Sequence, residues 1–293
     1  MEDFKDKVVI ITGAGGGIGR CHALEFARRG AKVVVNDLGG SADGSGASDA
    51  ADAVVQEIKD AGGVAIANKA SVSDKAGAKS IVDDAVSAFG TVDILVNNAG
   101  ILRDKSFKKM TLDDWDIVMN VHLNGTAYVT HAAWPIMYDK NYGRIVLTSS
   151  TSGIFGNFGQ ANYGAAKMGM VGLMNVLALE GASHNVKVNT LAPAAATRLT
   201  NTIPGRDEDL DKPDPLRAPA LVTPAVLYMC RDDAPTGKII QAGMGRYSFA
   251  AVYSNEGVSL GADASLESLM DVEESFTDMS AAQEGWWRRR NAG

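Results

Sequence analysis

Short runs of β-branched residues alternate with stretches of helical period along most of this 293-residue chain, and that alternation restricts its fold more than anything else. Lys7–Thr12 (KVVIIT), Lys32–Asn36 (KVVVN), Val64–Asn68, Val92–Asn97 (VDILVN), Arg144–Thr148 (RIVLT), Val186–Thr190 (VKVNT) and Lys238–Gln241 (KIIQ) read as about seven strands. Helical patterns lie between them at Ile18–Arg29, Ala47–Ala61 and Lys75–Phe89, the last with Ile81, Val82, Ala85, Val86 and Phe89 on one face. A longer helix runs from near Thr111 to about Tyr138, where Thr111 and Asp114 have the spacing of a capping box with a carboxylate at its third position. Strands joined by helical crossovers of 10–15 residues imply right-handed βαβ units. The expectation is an α/β fold, a doubly wound parallel sheet with helices on both faces.

Two regions leave the alternation. Asn201–Pro219 is rich in Pro and Asp and has no period, so it is expected to be a flap near a ligand. From Arg246 the pattern stops, which divides the chain into a domain over 1–245 and a C-terminal extension over 246–293. Leu266, Leu269 and Met270 have the spacing of one short amphipathic helix there, and the extension is expected to pack over the substrate entrance or against a neighbouring subunit, burying Trp286 and Trp287, with a disordered tail as the alternative.

Composition excludes several classes of protein. Apolar residues are 46% and charged residues 22%, so the chain can build a core. With 28 Lys and Arg against 35 Asp and Glu the net charge is −7, and no basic stripe offers itself to a phosphate backbone; no nucleic-acid partner is expected. No apolar run approaches the ~18 residues of a membrane span, and the charged N-terminus has no apolar segment of the kind a signal peptide needs. Cys21 and Cys230 stand far apart and make neither a disulfide framework nor a metal site, which suits a reducing compartment.

The chemistry-bearing residues fall at the ends of predicted strands. After the first strand comes Thr12-Gly-Ala-Gly-Gly-Gly-Ile-Gly19. The spacing G-x-G-x-x-G fails because position 18 is Ile18, but G-x-x-x-G-x-G fits at Gly13, Gly17 and Gly19. Glycines let a backbone turn tightly against a pyrophosphate, and the following helix offers it a positive dipole end. The second strand ends at Asp37, whose carboxylate can accept both ribose hydroxyls of an adenosine and would repel a 2′-phosphate. Ser150 closes the fifth strand, Tyr163 follows thirteen residues later and Lys167 four after that. Tyr and Lys at i and i+4 share one helix face, and an ammonium near a phenol favours the phenolate. Such a phenol can exchange a proton with an alcohol or carbonyl oxygen to which Ser150 also donates.

Together these pieces resemble the short-chain dehydrogenase/reductase family over residues 5 to about 245, with a Rossmann-like fold. Asn97-Asn98-Ala99-Gly100 and Pro193 through Thr197 match as well. Val35–Gly40, Asn97–Phe107 and Gly153–Tyr163 are similar to the branch that forms (3R)-hydroxyacyl-CoA dehydrogenase domains. The resemblance implies NAD as cofactor. It implies Tyr163 as acid/base, Lys167 on the nicotinamide ribose depressing the tyrosine pKa, and Ser150 orienting the substrate oxygen. It implies Asn98 holding the break in the central strand, Ser71 and Val72 at the adenine, and Ala195 and Thr197 at the carboxamide and phosphates. Where most relatives carry Asn three residues before a Gly, this chain has His122 before Gly125; a proton-relay role and a helix-packing role are both open for it. Homodimers or homotetramers are a family expectation.

The expected reaction is NAD-dependent oxidation of a secondary alcohol on an acyl-CoA; a hydroxysteroid dehydrogenase and a non-catalytic binding protein on the same fold are the alternatives. Ile101–Lys109 carries Arg103, Lys105, Lys108 and Lys109 against Asp104, and this local excess of positive charge is either a CoA phosphate site, with Arg103 and Lys105 as its contacts, or a solvated lead-in to the next helix. The chain ends Asn291-Ala292-Gly293 without the Ser-Lys-Leu of a peroxisomal address, so a cytoplasmic enzyme is expected.

Overall fold

The computed structural model describes residues 4–46, 48–196 and 214–284. The chain forms two compact units, Met1–Phe249 and Ala250–Gly293.

In the first unit one eight-stranded sheet has the order β3-β2-β1-β4-β5-β6-β7-β8. Its first four strands are β1 (Val8–Thr12), β2 (Lys32–Asn36), β3 (Val64–Asn68) and β4 (Ile94–Asn97). They are followed by β5 (Gly143–Thr148), β6 (Val186–Ala194), β7 (Ile239–Gly243) and β8 (Arg246–Ala250). Strands β1 to β7 pair in parallel, with Val9 opposite both Val33 and Ile94, and Thr190 opposite both Leu147 and Ile239. Every residue of β1, β4 and β5 is buried, which is why their central residues (Val8–Ile11, Ile94–Val96, Ile145–Leu147) are apolar without alternation. Chain order reverses between β1 and β4, and a crevice opens beyond the carboxyl ends of strands at such a switch point.

The eighth strand departs from the expected seven. Met244 and Gly245 link β7 to β8 with φ of 54° and 69°, the left-handed pair of a type I′ hairpin, so β8 turns back along β7. Its residues Arg246–Phe249 are exposed, so no apolar periodicity marks them, and the compact unit runs to Phe249.

The helices of this unit are α1 (Gly17–Arg28), α2 (Ala50–Asp60), α3 (Lys75–Phe89), α4 (Leu112–Met119), α5 (Gly125–Asp139), α6 (Thr151–Phe155), α7 (Ala161–Glu180) and α8 (Thr223–Met229). Thr111 caps α4 as its spacing predicts, accepting from the Asp114 amide at 3.1 Å while its hydroxyl donates to the Asp114 carboxylate at 2.8 Å. The long helix predicted to Tyr138 is two helices joined by a π-helical turn at Asn120–Asn124. Of the predicted flap, residues 201–213 lie outside the described residues; Pro215–Arg217 and Pro219–Val222 form 3₁₀ turns.

In the second unit, β9 (Tyr253–Ser254) pairs antiparallel with β10 (Gln283–Glu284), and α9 (Leu266–Met270) and α10 (Glu273–Thr277) lie between them. The short helix expected from Leu266, Leu269 and Met270 is α9, started by a capping box of Ser265 and Ser268. Leu266 and Met270 are 68% and 62% exposed, so this helix does not bury its apolar side. Trp286 and Trp287 lie outside the described residues.

Candidate active site

The turn between β1 and α1 is built so that backbone can meet backbone. Gly13 sits at φ 65°, and a Cβ on it would fall 2.7 Å from the Ala99 Cα. A Cβ on Gly19 would fall 2.2 Å from the Gly13 carbonyl oxygen, so only glycine lets α1 start this close to the strand end. Asn98 holds the adjoining end of β4: its side-chain amide donates to the carbonyls of Thr12 at 3.0 Å and Gly13 at 2.9 Å. The Thr12 hydroxyl returns this by accepting from the Asn98 and Ala99 amides at 3.0 and 3.1 Å. Asp37 spans the next opening, where its carboxylate accepts from the Gly15 and Gly39 amides, each at 2.7 Å.

Around these groups lies a cavity of about 520 Å³. Gly13, Gly17, Ile18, Asp37, Asn98, Ala99 and Gly100 form its walls, and Ser71 and Val72 close one side. Leu38 and Ser41 of the β2–α2 loop and Val121 of the π turn also line it, and none of the three was singled out by its own chemistry in the sequence. Ala195 is buried beside Ala196, which reaches the cavity, whereas Thr197 lies outside the described residues. A glycine cradle at a helix N-terminus, with a carboxylate one strand away, fits a dinucleotide.

The catalytic trio is assembled from β5 and α7. Ser150 caps α6, accepting from the Ser152 amide at 3.1 Å, and its hydroxyl hydrogen-bonds the phenol of Tyr163. Lys167, one helical turn beyond Tyr163, places its Nζ 5.3 Å from the tyrosine ring centroid and donates to the Thr148 carbonyl at 2.5 Å. Asn162, fully buried, fixes the start of α7 by donating to the carbonyls of Asp114 at 3.0 Å and Arg103 at 3.3 Å. Its role was not read from the sequence, although a polar residue directly before the tyrosine was the available signal.

Burial pushes Tyr163 up to about 12, with a smaller upward push from the Asp104 carboxylate and a downward one from the Ser150 hydrogen bond. Lys167 donates to the Thr148 carbonyl, and burial holds its own pKa down to about 7.

Arg103 and Lys105 are less free than a phosphate site requires. Lys105 Nζ lies 2.7 Å from Asp114, and Arg103 lies 3.7 Å from the other Asp114 oxygen while its Nε donates to the Asp43 carbonyl at 2.9 Å. Lys108 and Lys109 are exposed. Asp114 was seen as a cap but not as the counter-charge of this loop, so the lead-in reading gains over the CoA reading. Asp104, on the same loop, accepts from the Gln160 side chain at 2.6 Å, and burial raises its pKa. The Asn124 side-chain amide donates to the Asn120 side-chain oxygen at 2.7 Å across the π turn. No group of three or more potential metal ligands gathers among the described residues, and no described helix is long and apolar enough to cross a membrane.

Fold and site define an oxidoreductase built on a dinucleotide-binding sheet. The chain belongs to the short-chain dehydrogenase family, whose pattern it matches over residues 7–208 and whose members use NAD(P). It is 55% identical over 259 residues to peroxisomal multifunctional enzyme A of Dictyostelium discoideum, covering 87% of this chain and 57% of that one. In structure it resembles the full-length peroxisomal multifunctional enzyme type 2 of Drosophila melanogaster, with a TM-score of 0.78 and 39% identity over 96% of this chain and 47% of that one. A short chain dehydrogenase from Mycobacterium avium superposes with a TM-score of 0.81 and 38% identity over 93% of this chain and 94% of that one. The chain thus spans about half the length of the multifunctional relatives it matches.

Proposed function

We propose that this oxidoreductase uses NAD to oxidise the hydroxyl of a (3R)-hydroxyacyl-CoA to the 3-oxoacyl-CoA. The observation that carries the cofactor choice is Asp37, whose carboxylate lines the cavity and would meet a 2′-phosphate with like charge. The substrate class rests on the likeness to the multifunctional enzymes. In the oxidation Ser150 donates a hydrogen bond to the alcohol oxygen and Tyr163, as phenolate, removes its proton. Lys167, whose Nζ stands 5.3 Å from the Tyr163 ring centroid, would hold the nicotinamide ribose beside the phenol. Bound NAD would supply the hydride acceptor and a positive charge that favours the phenolate. Because Tyr163 is protonated at neutral pH in the folded protein, the oxidation rate should climb with pH as the phenol ionises. Assembly as a homodimer or homotetramer is part of the same proposal, and light scattering tests it.

A panel of (3R)- and (3S)-hydroxyacyl-CoA thioesters and hydroxysteroids, each with NAD and NADP, tests the reading. The (3R) thioester with NAD should lead, and Asp37→Ala should narrow the preference for NAD over NADP. Equal efficiency of the unaltered enzyme with both cofactors would remove the role given to Asp37. A steroid ahead of every thioester would replace the substrate class.

A further inference from the structure

His122 stands at the middle of the π turn and is 1% exposed. Its ring meets Tyr163 edge-on, with centroids 5.1 Å apart and planes at 89°. Nε2 lies 3.0 Å from the Ile101 amide nitrogen and 2.7 Å from the Ile101 carbonyl oxygen. One tautomer accepts from that amide and the other donates to that carbonyl, so the same residue serves Nε2 either way. Nδ1 is buried without a partner. Gly100 makes this placement possible, because a Cβ there would fall 2.3 Å from His122 Cε1 and 3.0 Å from Nδ1. The neighbouring backbone of Gly100 and Ile101 lines the cofactor cavity, so one imidazole touches both the cavity wall and the catalytic phenol.

We propose that His122 is a positioning residue: its imidazole fixes the Tyr163 ring against the Gly100–Ile101 wall, and for its sake position 100 must be glycine. A proton shuttle through the ring is disfavoured by the same geometry. A shuttle must take a proton at one nitrogen and release it at the other, and Nε2 faces only a peptide amide and a peptide carbonyl, neither of which passes a proton on. Burial, aided by the Lys167 ammonium facing it from α7, holds His122 well below its ordinary pKa; the Ile101 hydrogen bond opposes this only weakly. Tyr163, protonated, is the other titratable group against the ring. The inference rests on the proposed reaction only for its kinetic readout.

The test is a double-mutant cycle of Gly100→Ala and His122→Ala, measured with whichever secondary alcohol the unaltered enzyme turns over best. Each single change should lower kcat about 10- to 100-fold, the range set by misplacing a catalytic group by about 1 Å. NAD affinity, read by titration of intrinsic fluorescence, should stay within about threefold for His122→Ala. Gly100→Ala should add little once the ring is gone, because the space it needs is then open. Fully additive losses would overturn the Gly100–His122 dependence. A kcat for His122→Ala within twofold of the unaltered enzyme would overturn the positioning role. Nitrogen NMR of the histidine rings reads the charge state without any turnover, so it stands even if no thioester is a substrate. The His122 signals should not titrate between pH 5 and 8, and a titration there, or loss of one limb of the kcat–pH profile in His122→Asn, would restore the relay.

Discussion

Lys167 gives the most quantitative prediction, because catalysis and stability pull on it in opposite directions. Replace it with methionine, which keeps the stem and removes the charge. Burial holds its pKa at about 7 where a free lysine has 10.5, a gap worth at most about 5 kcal/mol. Below pH 7 the ammonium is charged both in the fold and in the unfolded chain, and the folded protein bears the whole cost of enclosing it. Between pH 7 and 10.5 the unfolded chain holds the proton that the folded one has released, so this group's contribution makes stability rise with pH through that window. From pH 7 to pH 9 the recovery is about 2 kcal/mol. Methionine has no such term, but it leaves the buried Thr148 carbonyl without its donor, at a cost of about 1–3 kcal/mol. The variant should therefore be more stable than the unaltered protein at pH 7 by roughly 1–3 kcal/mol. At pH 9 that advantage should shrink by about 2 kcal/mol, and kcat should fall at both. Urea unfolding of the two proteins at pH 7 and pH 9 reads it. Other titrations are shared and cancel in the difference. A stability difference that is the same at both pH values would refute the claim that burial of this ammonium is what lowers its pKa.

Three further outcomes follow from the same geometry. Tyr163→Phe should lower kcat by ~10²–10⁴, the contribution of a positioned acid/base, with NAD affinity kept, since the phenol is not part of the cavity wall; substantial residual activity would remove it from the mechanism. Arg103→Glu with Lys105→Glu should raise KM about equally for a CoA thioester and for a thioester lacking the nucleotide, because both cations pair with Asp114 and their loss loosens the loop; a rise confined to the CoA substrate would return these residues to phosphate binding. Truncation after Phe249 should leave NAD affinity within twofold, because every residue lining the cavity lies between Gly13 and Pro219; lost cofactor binding would refute the independence of the first unit.

The parts of this molecule that could be read from its sequence are those where one physical demand sets the residue type. Strands buried on both faces must be apolar throughout, so β1, β2, β4 and β5 show themselves within two residues of their ends. A backbone 2.7 Å from where a Cβ would stand must be glycine, so the Gly13 turn is visible too. β8 answers to neither demand, since its exposed residues select nothing and only the Met244–Gly245 turn announces it. The charges of the 101–109 loop could be counted but not paired. Asp114 meets Lys105 through a fold contact, and sequence separation says nothing about which carboxylate will face which ammonium.

The π turn shows why the long helix concealed its break. A π turn adds one residue to a helical turn, which should shift the phase of the buried positions. Yet Val118, His122, Gly125, Val129, Ala133 and Met137 are buried at steps of four, three, four, four and four, the rhythm of an unbroken helix. The buried position at its centre is a histidine whose Nε2 is taken up by Ile101, not by the helix's own neighbours. A periodicity count scores that position as a polar interruption of an apolar face, whereas the fold uses it as the contact between the cofactor wall and the catalytic phenol. The departure at position 122 was visible as a residue out of pattern. Its consequence was not, because it depends on a glycine twenty-two residues earlier that sequence spacing does not connect to it.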